Sequence, residues 1–417
     1  EDALYDTFST LAGFAYFVLG SEGLPPQNIR FYADTNIDGD GDGANDVIGK
    51  PSLASLQDSI TNWAQGSEKL LVYLVDHGQR DRFRMSATEY LEAADLDAWY
   101  DQLQNVPLSE RTVITTLIDT CESGSFIDNL QLSKSQVSLE KGVNNLQRIS
   151  MTSAGVGAVE GVALFDQAQY ISFSLNFWFN IFNGKDYGQA YDEAKISIEA
   201  VNPLQVPQID SDGNGVANQG GDSALAFGQR PGANFDIQVP GVFIGEITPD
   251  QAINSNSATL GMGNIVSPFP VEGAGALIVP PNFQRPSLAN DDEQPISGLD
   301  FIEFTYNSAT DRWEGDYSGF DQGGLFQIQY FVRAGGQFHA SPRIGFVDRI
   351  GLADAWENDN TPDNANWIPI NSVQGHNFHR DGDQDWVLFS PLPGQKATLG
   401  VINPGPNNQA VVELYLA

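Results

Sequence analysis

The chain contains one cysteine among its 417 residues, Cys121, and four histidines. Cys121 follows the apolar run TVITTLIDT and stands one residue before a Ser-Gly-Ser turn, whereas His77 follows the apolar run KLLVYLVD. A thiolate is a strong nucleophile, but at neutral pH it needs a nearby base or a lowered pKa. His77 is the histidine that lies among alternating strand and helix patterns, so we expect it to be that base.

The residues around this pair favour acyl transfer. Gly78 directly follows the histidine and lets the backbone approach a substrate carbonyl closely. Its N–H and that of Cys121 are candidate donors of an oxyanion hole. Residues 122–125, ESGS, predict a turn and a helix start whose free N–H groups favour a thiolate. Against this, a lone cysteine is most often a small buried apolar residue; the combination with His77 favours a function.

A parallel sheet must bring the ends of these two runs together. From residue 1 to about 230, strand-like and helix-like segments alternate, which predicts an α/β fold with a mostly parallel sheet flanked by helices. In such a sheet the carboxyl ends of neighbouring strands open on the same edge, so we expect His77 and Cys121 to meet there. The strand candidates are 28–34, 69–78, 112–120 and 147–154, and the helix candidates are 52–66, 96–106 and 172–182.

The sequence around the pair resembles a known peptidase family. YLVDHG, with IDTCESGSF placing the cysteine 44 residues after the histidine, is similar to the His-Gly and Asp/Glu-x-Cys-x-Ser-Gly signatures of legumain-type cysteine peptidases, relatives of caspases, gingipains and clostripain. Further blocks between residues 3 and 228 resemble bacterial legumain-like proteins. The resemblance implies a caspase-like fold, with His77 as general base or acid, Cys121 as nucleophile and Gly78 as an oxyanion donor. Domains of this family start with a β-strand, whereas this chain starts in a helix-like run, so we expect a truncated or processed chain.

The same resemblance implies two substrate-binding residues. Asp119 falls where this clan of peptidases places an acidic residue in the S1 pocket, and Ser153 falls on the strand that forms the pocket wall. An acidic pocket attracts Arg or Lys at P1, whereas legumain uses similar acids to orient Asn, so the P1 residue stays open. Asp119 is equally compatible with a purely structural role in capping the turn that follows its strand.

The charge of the chain excludes some partners. Its 54 acidic and 20 basic side chains give a formal net charge of −34, which argues against nucleic-acid and anionic-membrane partners. Divalent cations are the natural partners of such a chain. The apolar run at 170–182 is too short and too interrupted to span ~30 Å of hydrocarbon, so we expect no membrane insertion. A single cysteine allows no disulfide within the chain.

Two acidic stretches have the spacing of calcium loops. In residues 34–49, carboxylates stand at loop positions 1, 3, 5 and 9 with glycine at position 6, a pattern typical of Ca²⁺ binding; these carboxylates belong to Asp38, Asp40, Asp42 and Asp46. Position 12 is Gly49 rather than glutamate, so a bidentate ligand must come from elsewhere. Asp210, Asp212 and Asn214 repeat the theme. Solvated Asp-Gly turns are the alternative for both stretches.

The chain changes character beyond residue 232. Short β-like runs separated by Pro, Gly and Asp predict two all-β sandwich domains after the α/β domain. We therefore divide the chain into a peptidase domain at 1–232, an immunoglobulin-like sandwich at 233–350 and a third domain at 351–417. The third resembles part of the bacterial pre-peptidase C-terminal domain in its blocks DAWENDNTPDNANW and HNFHRDGDQDWVLF. Modules of that kind accompany secreted peptidases.

The third domain also contains ionisable residues of undecided role. Asp381, Asp383 and Asp385 are compatible with a metal site and equally with a charged turn. We interpret His376 and His379 as surface strand residues and not as ligands, because no cysteine or third histidine lies near them in the sequence.

These observations predict a secreted or cell-surface cysteine endopeptidase, stabilised by Ca²⁺, that cleaves proteins or peptides through an acyl-enzyme. If an amine intercepts the same acyl-enzyme, the protein is a transpeptidase, and the sequence leaves both outcomes open. The alternative is an extracellular structural or adhesive protein, built on an inactive peptidase-like domain, with cell-surface or self-association partners. A caspase-like intracellular enzyme agrees with the dyad but not with the acidic loops.

Overall fold

The structure is a computed structural model of the chain. It divides into two compact units, one covering the described residues up to Val242 and the other those from Phe243 onwards. The predicted division into three domains stays a prediction. The structure describes residues 3–107, 112–132, 148–157, 160–165, 171–202, 204–232, 242–283, 299–335, 337–368, 374–390, 399–401 and 411–415.

The first unit is built on a four-stranded sheet. Its strands are β1 (Lys69–Val75), β5 (Val113–Asp119), β6 (Arg148–Thr152) and β7 (Gln208–Asp210), which lie side by side in that order. β1, β5 and β6 are parallel, and β7 is antiparallel to β6. All five residues of β6 are buried, as are the last six of β5, because such strands are covered on both faces. The predicted mostly parallel sheet is thus confirmed.

Helices flank this sheet, also as predicted. They are α1 (Tyr5–Ser21), α2 (Leu53–Asp58, continued by a π turn to Trp63), α3 (Ala93–Leu103), α4 (Phe173–Phe182), α5 (Tyr187–Val201) and α6 (Asp222–Leu225). Side chains mark where several of them begin: Ser52 and Asp186 form capping boxes and Ser172 caps α4. Among the described residues, no helix has the length and apolar character needed to cross a bilayer.

A small antiparallel sheet continues the chain beyond β1. Its strands are β2 (Gly78–Gln79), β3 (Arg82–Arg84) and β4 (Tyr90–Glu92). Gly78 pairs with Phe83, and the N–H of Arg84 donates to the carbonyl of His77 at 3.0 Å. The backbone on both sides of His77 is therefore held in regular structure.

The strand predicted at 28–34 was wrong. The structure has a 3₁₀ turn at Pro26–Asn28 and then an isolated bridge between Tyr32 and Gly49. Two prolines, Pro25 and Pro26, begin the turn, and Pro fixes its own φ and restricts the residue before it. The segment pairs with the end of the acidic loop, which is too short to form a ladder.

The second unit contains two mainly antiparallel sheets. One has the order β13 (Thr305–Asn307), β14 (Arg312–Tyr317), β10 (Ala258–Val266), β8 (Phe243–Ile247). The other has the order β12 (Asp300–Glu303), β11 (Val271–Val279), β15 (Gly324–Ala334), β16 (Gln337–Arg349), β9 (Gln251–Ile253). Beyond Arg349, the described residues form a 3₁₀ turn at Pro362–Asn364 and the two-residue strands β17 (Asn366–Trp367) and β18 (Val387–Leu388). The sandwich arrangement stays a prediction for both all-β segments.

Candidate active site

The register of β1 and β5 places the histidine and the cysteine side by side. Each residue of β1 pairs with the β5 residue 44 positions later, from Lys69 with Val113 to Val75 with Asp119. His77 and Cys121 are also 44 positions apart, and each stands two residues beyond the last pair. Because parallel strands end on the same edge of a sheet, the two residues follow the ends of neighbouring strands.

Gly78 lies in close contact with the residue before the cysteine. A Cβ atom on Gly78 would lie 2.3 Å from Oγ1 and 2.7 Å from Cγ2 of Thr120. Only glycine therefore allows the backbone at residue 78 to lie this close to the Thr120 side chain. The contact ties the segment that carries His77 to the segment that carries Cys121.

The cysteine is completely buried, with 0% of its surface exposed. The N–H of Ala163 donates to Sγ of Cys121 at 3.2 Å, and Sγ lies 3.9 Å from the carbonyl oxygen of the same residue. The N–H of Glu122 donates to the carbonyl of Gly161 at 2.7 Å. Residues 160–165, which we call the covering segment, thus contact the sulfur and the following backbone.

Glu122 holds the region around the cysteine with its side chain. Its carboxylate accepts hydrogen bonds from the N–H of Arg80 at 2.9 Å and from the N–H of Gly157 at 3.0 Å. It also has a left-handed backbone conformation, with φ of 51°, which is uncommon outside glycine. Glu122 therefore connects the loop after His77 with the loop that leads to the covering segment.

His77 is buried as well, with 2% of its surface exposed. The ring of Phe8 packs edge-on against its imidazole at a centroid distance of 5.1 Å and edge-on against Phe165 at 5.0 Å. Phe165 belongs to the covering segment that contacts Cys121. The ring of Phe8 thus links His77 to the covering segment, which in turn contacts Cys121.

Asp119 and Ser153 contact each other, and both are fully buried. Oδ2 of Asp119 accepts a hydrogen bond from the N–H of Ser174 at 2.9 Å, in the first turn of α4. Burial raises the pKa of Asp119, while hydrogen bonds from Ser174 and Ser153 act to lower it. The carboxylate therefore caps a helix in this structure, and its predicted part in P1 selection stays a prediction.

The first acidic loop brings three of its predicted ligands together. Carboxylate oxygens of Asp38, Asp40 and Asp42 lie within 4.8 Å of one another, and all three residues are exposed. Backbone N–H groups of the loop donate to these carboxylates, including those of Gly41 and Gly43 to Asp38 at 2.7 and 2.8 Å. Asp46 accepts from the N–H of Gly39 at 2.7 Å. The three clustered carboxylates offer only oxygen ligands, the type that Ca²⁺ prefers, and Asp46 is not part of this cluster.

The second acidic stretch gains a residue that sequence reasoning missed. Carboxylate oxygens of Asp210, Asp212 and Asp222 lie within 4.8 Å of one another, whereas Asn214 donates its amide hydrogen to Asp212 at 2.9 Å. Asp210 is buried, and its burial, together with the nearby Asp212, raises its pKa to about 6. Asp222 belongs to α6, ten residues beyond Asp212, and the loop spacing contains no signal for it.

The interpretation of His376 and His379 as surface strand residues was wrong. Their side chains are 17% exposed, and each faces carboxylates from the stretch 354–359. A search for cysteine and histidine partners overlooked these carboxylates, because they stand about 20 residues earlier in the chain.

Comparison with known proteins gives a family match. Residues 53–139 match the model of the Peptidase C13 family. This supports a legumain-type domain in that part of the chain and a function of the cysteine-peptidase type. The matched residues contain β1, β5, His77 and Cys121, and they lie within the first unit.

Other comparisons add little. No curated protein matches the chain. A crystal structure of an engineered protein shares 10% sequence identity with a TM-score of 0.18, and the match covers 61% of this chain and 59% of that one. The chain thus spans less than two thirds of that protein, and a likeness at this level carries no argument.

Proposed function

We propose that the protein is a cysteine endopeptidase that uses His77 and Cys121. The common offset of 44 carries the proposal: the spacing of the two residues equals the register of the strands that precede them. The family match to residues 53–139 supports the same class of activity. Proteins or peptides are the proposed substrates, because that class cleaves peptide bonds.

The chemistry follows from the two side chains and the backbone beside them. His77 takes the proton of the Cys121 thiol, and the resulting thiolate attacks the scissile carbonyl carbon, while the N–H groups of Gly78 and Cys121 stabilise the oxyanion. His77 gives its proton to the leaving amine as the C–N bond breaks, which leaves a thioester. Water, activated by His77, then hydrolyses the thioester and restores the thiol. An amine in place of water would make the product a new amide.

The covering segment blocks access to the sulfur of Cys121, so a conformational change must precede the attack on a substrate. Cys121 has no exposed surface, and Ala163 contacts its sulfur directly. A substrate carbonyl must come within about 3–3.5 Å of the nucleophile to react. We therefore propose that the covering segment moves away from Cys121 before a peptide binds. Asp119 and Ser153 are the proposed contacts of the P1 side chain after this movement.

Calcium is the proposed structural ion. Asp38, Asp40 and Asp42 bring carboxylate oxygens together on an exposed loop, and Asp46 of the same loop is the proposed fourth ligand. Asp210 with Asp212 and Asn214 is the proposed second set, which Asp222 adjoins. Bound Ca²⁺ would neutralise carboxylates that otherwise repel one another. Millimolar Ca²⁺, as found outside cells, is sufficient for sites of this kind, which agrees with the proposed secreted or cell-surface location.

The complete burial of the nucleophile favours a second candidate function. A peptidase-like domain whose cysteine never becomes accessible would serve as a structural or adhesive part of an extracellular protein. In that case His77 and Cys121 would be core residues of the sheet edge.

One experiment separates the two functions. The purified chain is incubated with a mixed peptide library, with and without millimolar Ca²⁺, beside a Cys121→Ala variant. Cleavage that depends on Cys121 supports the peptidase and identifies the P1 residue from the products. Absence of turnover in both conditions, together with no reaction of Cys121 with a peptide-based thiol probe, refutes the peptidase and favours the structural protein.

A further inference from the structure

The second unit contains a cluster of ionisable side chains that the proposed peptidase does not use. It is formed by two stretches, 354–359 and 376–385, which we call the C-terminal cluster. Ligand atoms of Glu357, His379 and Asp383 all lie within 4.8 Å of one another. The same holds for Asp354, His376 and Asp385, and for Glu357, Asp359 and Asp385.

The first of these groups is the most tightly arranged. Nδ1 of His379 lies 2.7 Å from Oε1 of Glu357 and 2.6 Å from Oδ2 of Asp383. In the neighbouring group, Nδ1 of His376 lies 3.9 Å from Asp354 and 3.7 Å from Asp359. The three atoms around His379 therefore already face a common point.

The carboxylates of the first group are withdrawn from water. The side chain of Asp383 is 0% exposed and that of Glu357 is 9% exposed. Buried charges of one sign are costly unless an opposite charge compensates them. The guanidinium of Arg380 lies 3.7 Å from Oδ1 of Asp383, but its side chain is 62% exposed and extends into solvent. The five carboxylates of the three groups thus face two imidazoles and one exposed cation.

Each of the three residues also has one buried atom that makes no hydrogen bond to described residues. They are Oε1 of Glu357, Nδ1 of His379 and Oδ1 of Asp383, and all are inaccessible to water. Oδ2 of Asp383, the oxygen nearest to the imidazole, accepts a hydrogen bond from the N–H of His379 at 3.0 Å, so Oδ1 is the oxygen of this carboxylate without a hydrogen-bond partner. Native proteins rarely leave such atoms unsatisfied, and a bound ion can satisfy them where no hydrogen bond does. Here the unsatisfied atoms include two carboxylate oxygens and an imidazole nitrogen, each of which has a lone pair for a metal.

The donor types decide which class of ion fits. Ca²⁺ and Mg²⁺ bind oxygen ligands, whereas imidazole nitrogen is a ligand of Zn²⁺ and related transition metals. Zinc bonds of ~2.0–2.2 Å put tetrahedral ligands roughly 3.4 Å apart, so the three atoms need to separate by less than ~1 Å. Asp359 and Asp385, which adjoin Glu357, offer a further oxygen ligand.

We propose that Glu357, His379 and Asp383 bind one divalent transition-metal ion of the zinc class. Because the two stretches that provide the ligands are about 20 residues apart, the ion would join them and stabilise this part of the second unit. The site differs from the proposed calcium loops in its imidazole ligand. It does not depend on the peptidase activity.

The test uses the full chain without a histidine tag, and zinc itself as the probe. After dialysis against zinc and then buffer, elemental analysis is expected to find one zinc per chain, and millimolar Ca²⁺ is expected not to displace it. Cobalt(II) in its place is expected to give visible absorption bands from a nitrogen-containing site. His379→Asn is expected to weaken zinc binding at least about 100-fold. Substituting a residue that only hydrogen-bonds to a metal ligand already weakens metal binding ~10–100-fold, and the loss of a ligand itself should cost at least as much.

A matched control separates this site from its surroundings. His376→Asn changes the same residue type three positions away, with the same 17% exposure, and is expected to keep the zinc. Glu357→Gln keeps the shape of the side chain and is expected to lose the zinc, so a folding defect of His379→Asn leaves the test intact. Zinc binding no tighter than Ca²⁺ binding, or zinc retained by both His379→Asn and Glu357→Gln, would overturn the proposal.

Discussion

Gly78→Ala tests the close packing between the residues that adjoin His77 and Cys121. The Cβ atom of alanine would lie 2.3 Å from Oγ1 and 2.7 Å from Cγ2 of Thr120, and 3.0 Å from the carbonyl oxygen of Arg82. Non-bonded atoms prefer separations of ~3.5–4.0 Å, so the backbone at residue 78 must move by roughly 1 Å. Thr120 and Cys121 are buried and resist a matching movement.

Gly78→Ala is expected to lower both the unfolding free energy and the catalytic rate. Inserting a methyl group into a filled space costs about 1–3 kcal/mol of unfolding free energy. A displacement of ~1 Å of a catalytic group costs on the order of 100-fold in rate, which we expect in kcat/KM for the peptide substrates found with the library. The first effect is measurable by denaturant unfolding even if the protein turns over slowly.

Two further variants show whether the contact with Thr120 causes the loss. Thr120→Ala removes both of the nearest atoms, so the double variant Gly78→Ala/Thr120→Ala is expected to recover about 0.5–3 kcal/mol as a coupling energy. Gly20→Ala is the control, because a Cβ atom there has no neighbour within 4 Å. If Gly78→Ala is as stable and as active as the parent, or if the double variant recovers nothing, the geometry described for this edge of the sheet is refuted.

Three other predictions follow from buried polar groups. Glu122→Ala removes the carboxylate that accepts hydrogen bonds from the N–H groups of Arg80 and Gly157. Because a hydrogen bond to a charged group contributes about 1.5–3 kcal/mol, the rate of Cys121 alkylation by iodoacetamide is expected to rise at least ~10-fold. An unchanged rate would show that Glu122 does not hold the covering segment in place. Arg148→Met removes the buried guanidinium that lies 2.6 Å from Asp97 and Asp101 and that donates to the buried Oε1 of Gln104. Because the two carboxylates are 29% and 44% exposed, the loss comes mainly from the buried acceptor, and an unfolding free energy lower by about 1–3 kcal/mol is expected; an unchanged unfolding free energy would contradict this. Burial lowers the pKa of His339 from 6.5 to about 4, so the unfolded chain binds a proton at a higher pH than the folded chain does. The resulting contribution to the unfolding free energy, about 3 kcal/mol, is present above pH 6.5 and is lost as the pH falls to 4. In denaturant unfolding, His339→Gln should lose less stability than the parent over that pH range, and an equal loss in both proteins would disprove the assignment.

The amino-acid sequence was sufficient for the elements that carry the dyad. The apolar runs before His77 and Cys121 form adjacent parallel strands, and the helix over 173–182 agrees with its pattern within a residue. Such runs are decided locally, because continuous apolar residues must be covered on both faces of a sheet and helical periodicity buries one face. The strand predicted at 28–34 was wrong because its possible partner is a short loop, which no local pattern reveals.

Only the tertiary structure decided what surrounds these elements. The covering segment reaches Cys121 from more than 40 residues away, Asp222 joins Asp210 from the next helix, and Glu357 reaches His379 from a separate stretch. Contacts of this kind depend on which packing of the whole chain has the lowest free energy and not on the spacing within one motif. The sequence by itself thus determined the type and order of the elements and the residues capable of chemistry. The folded chain determined which of those residues meet and that the nucleophile is buried.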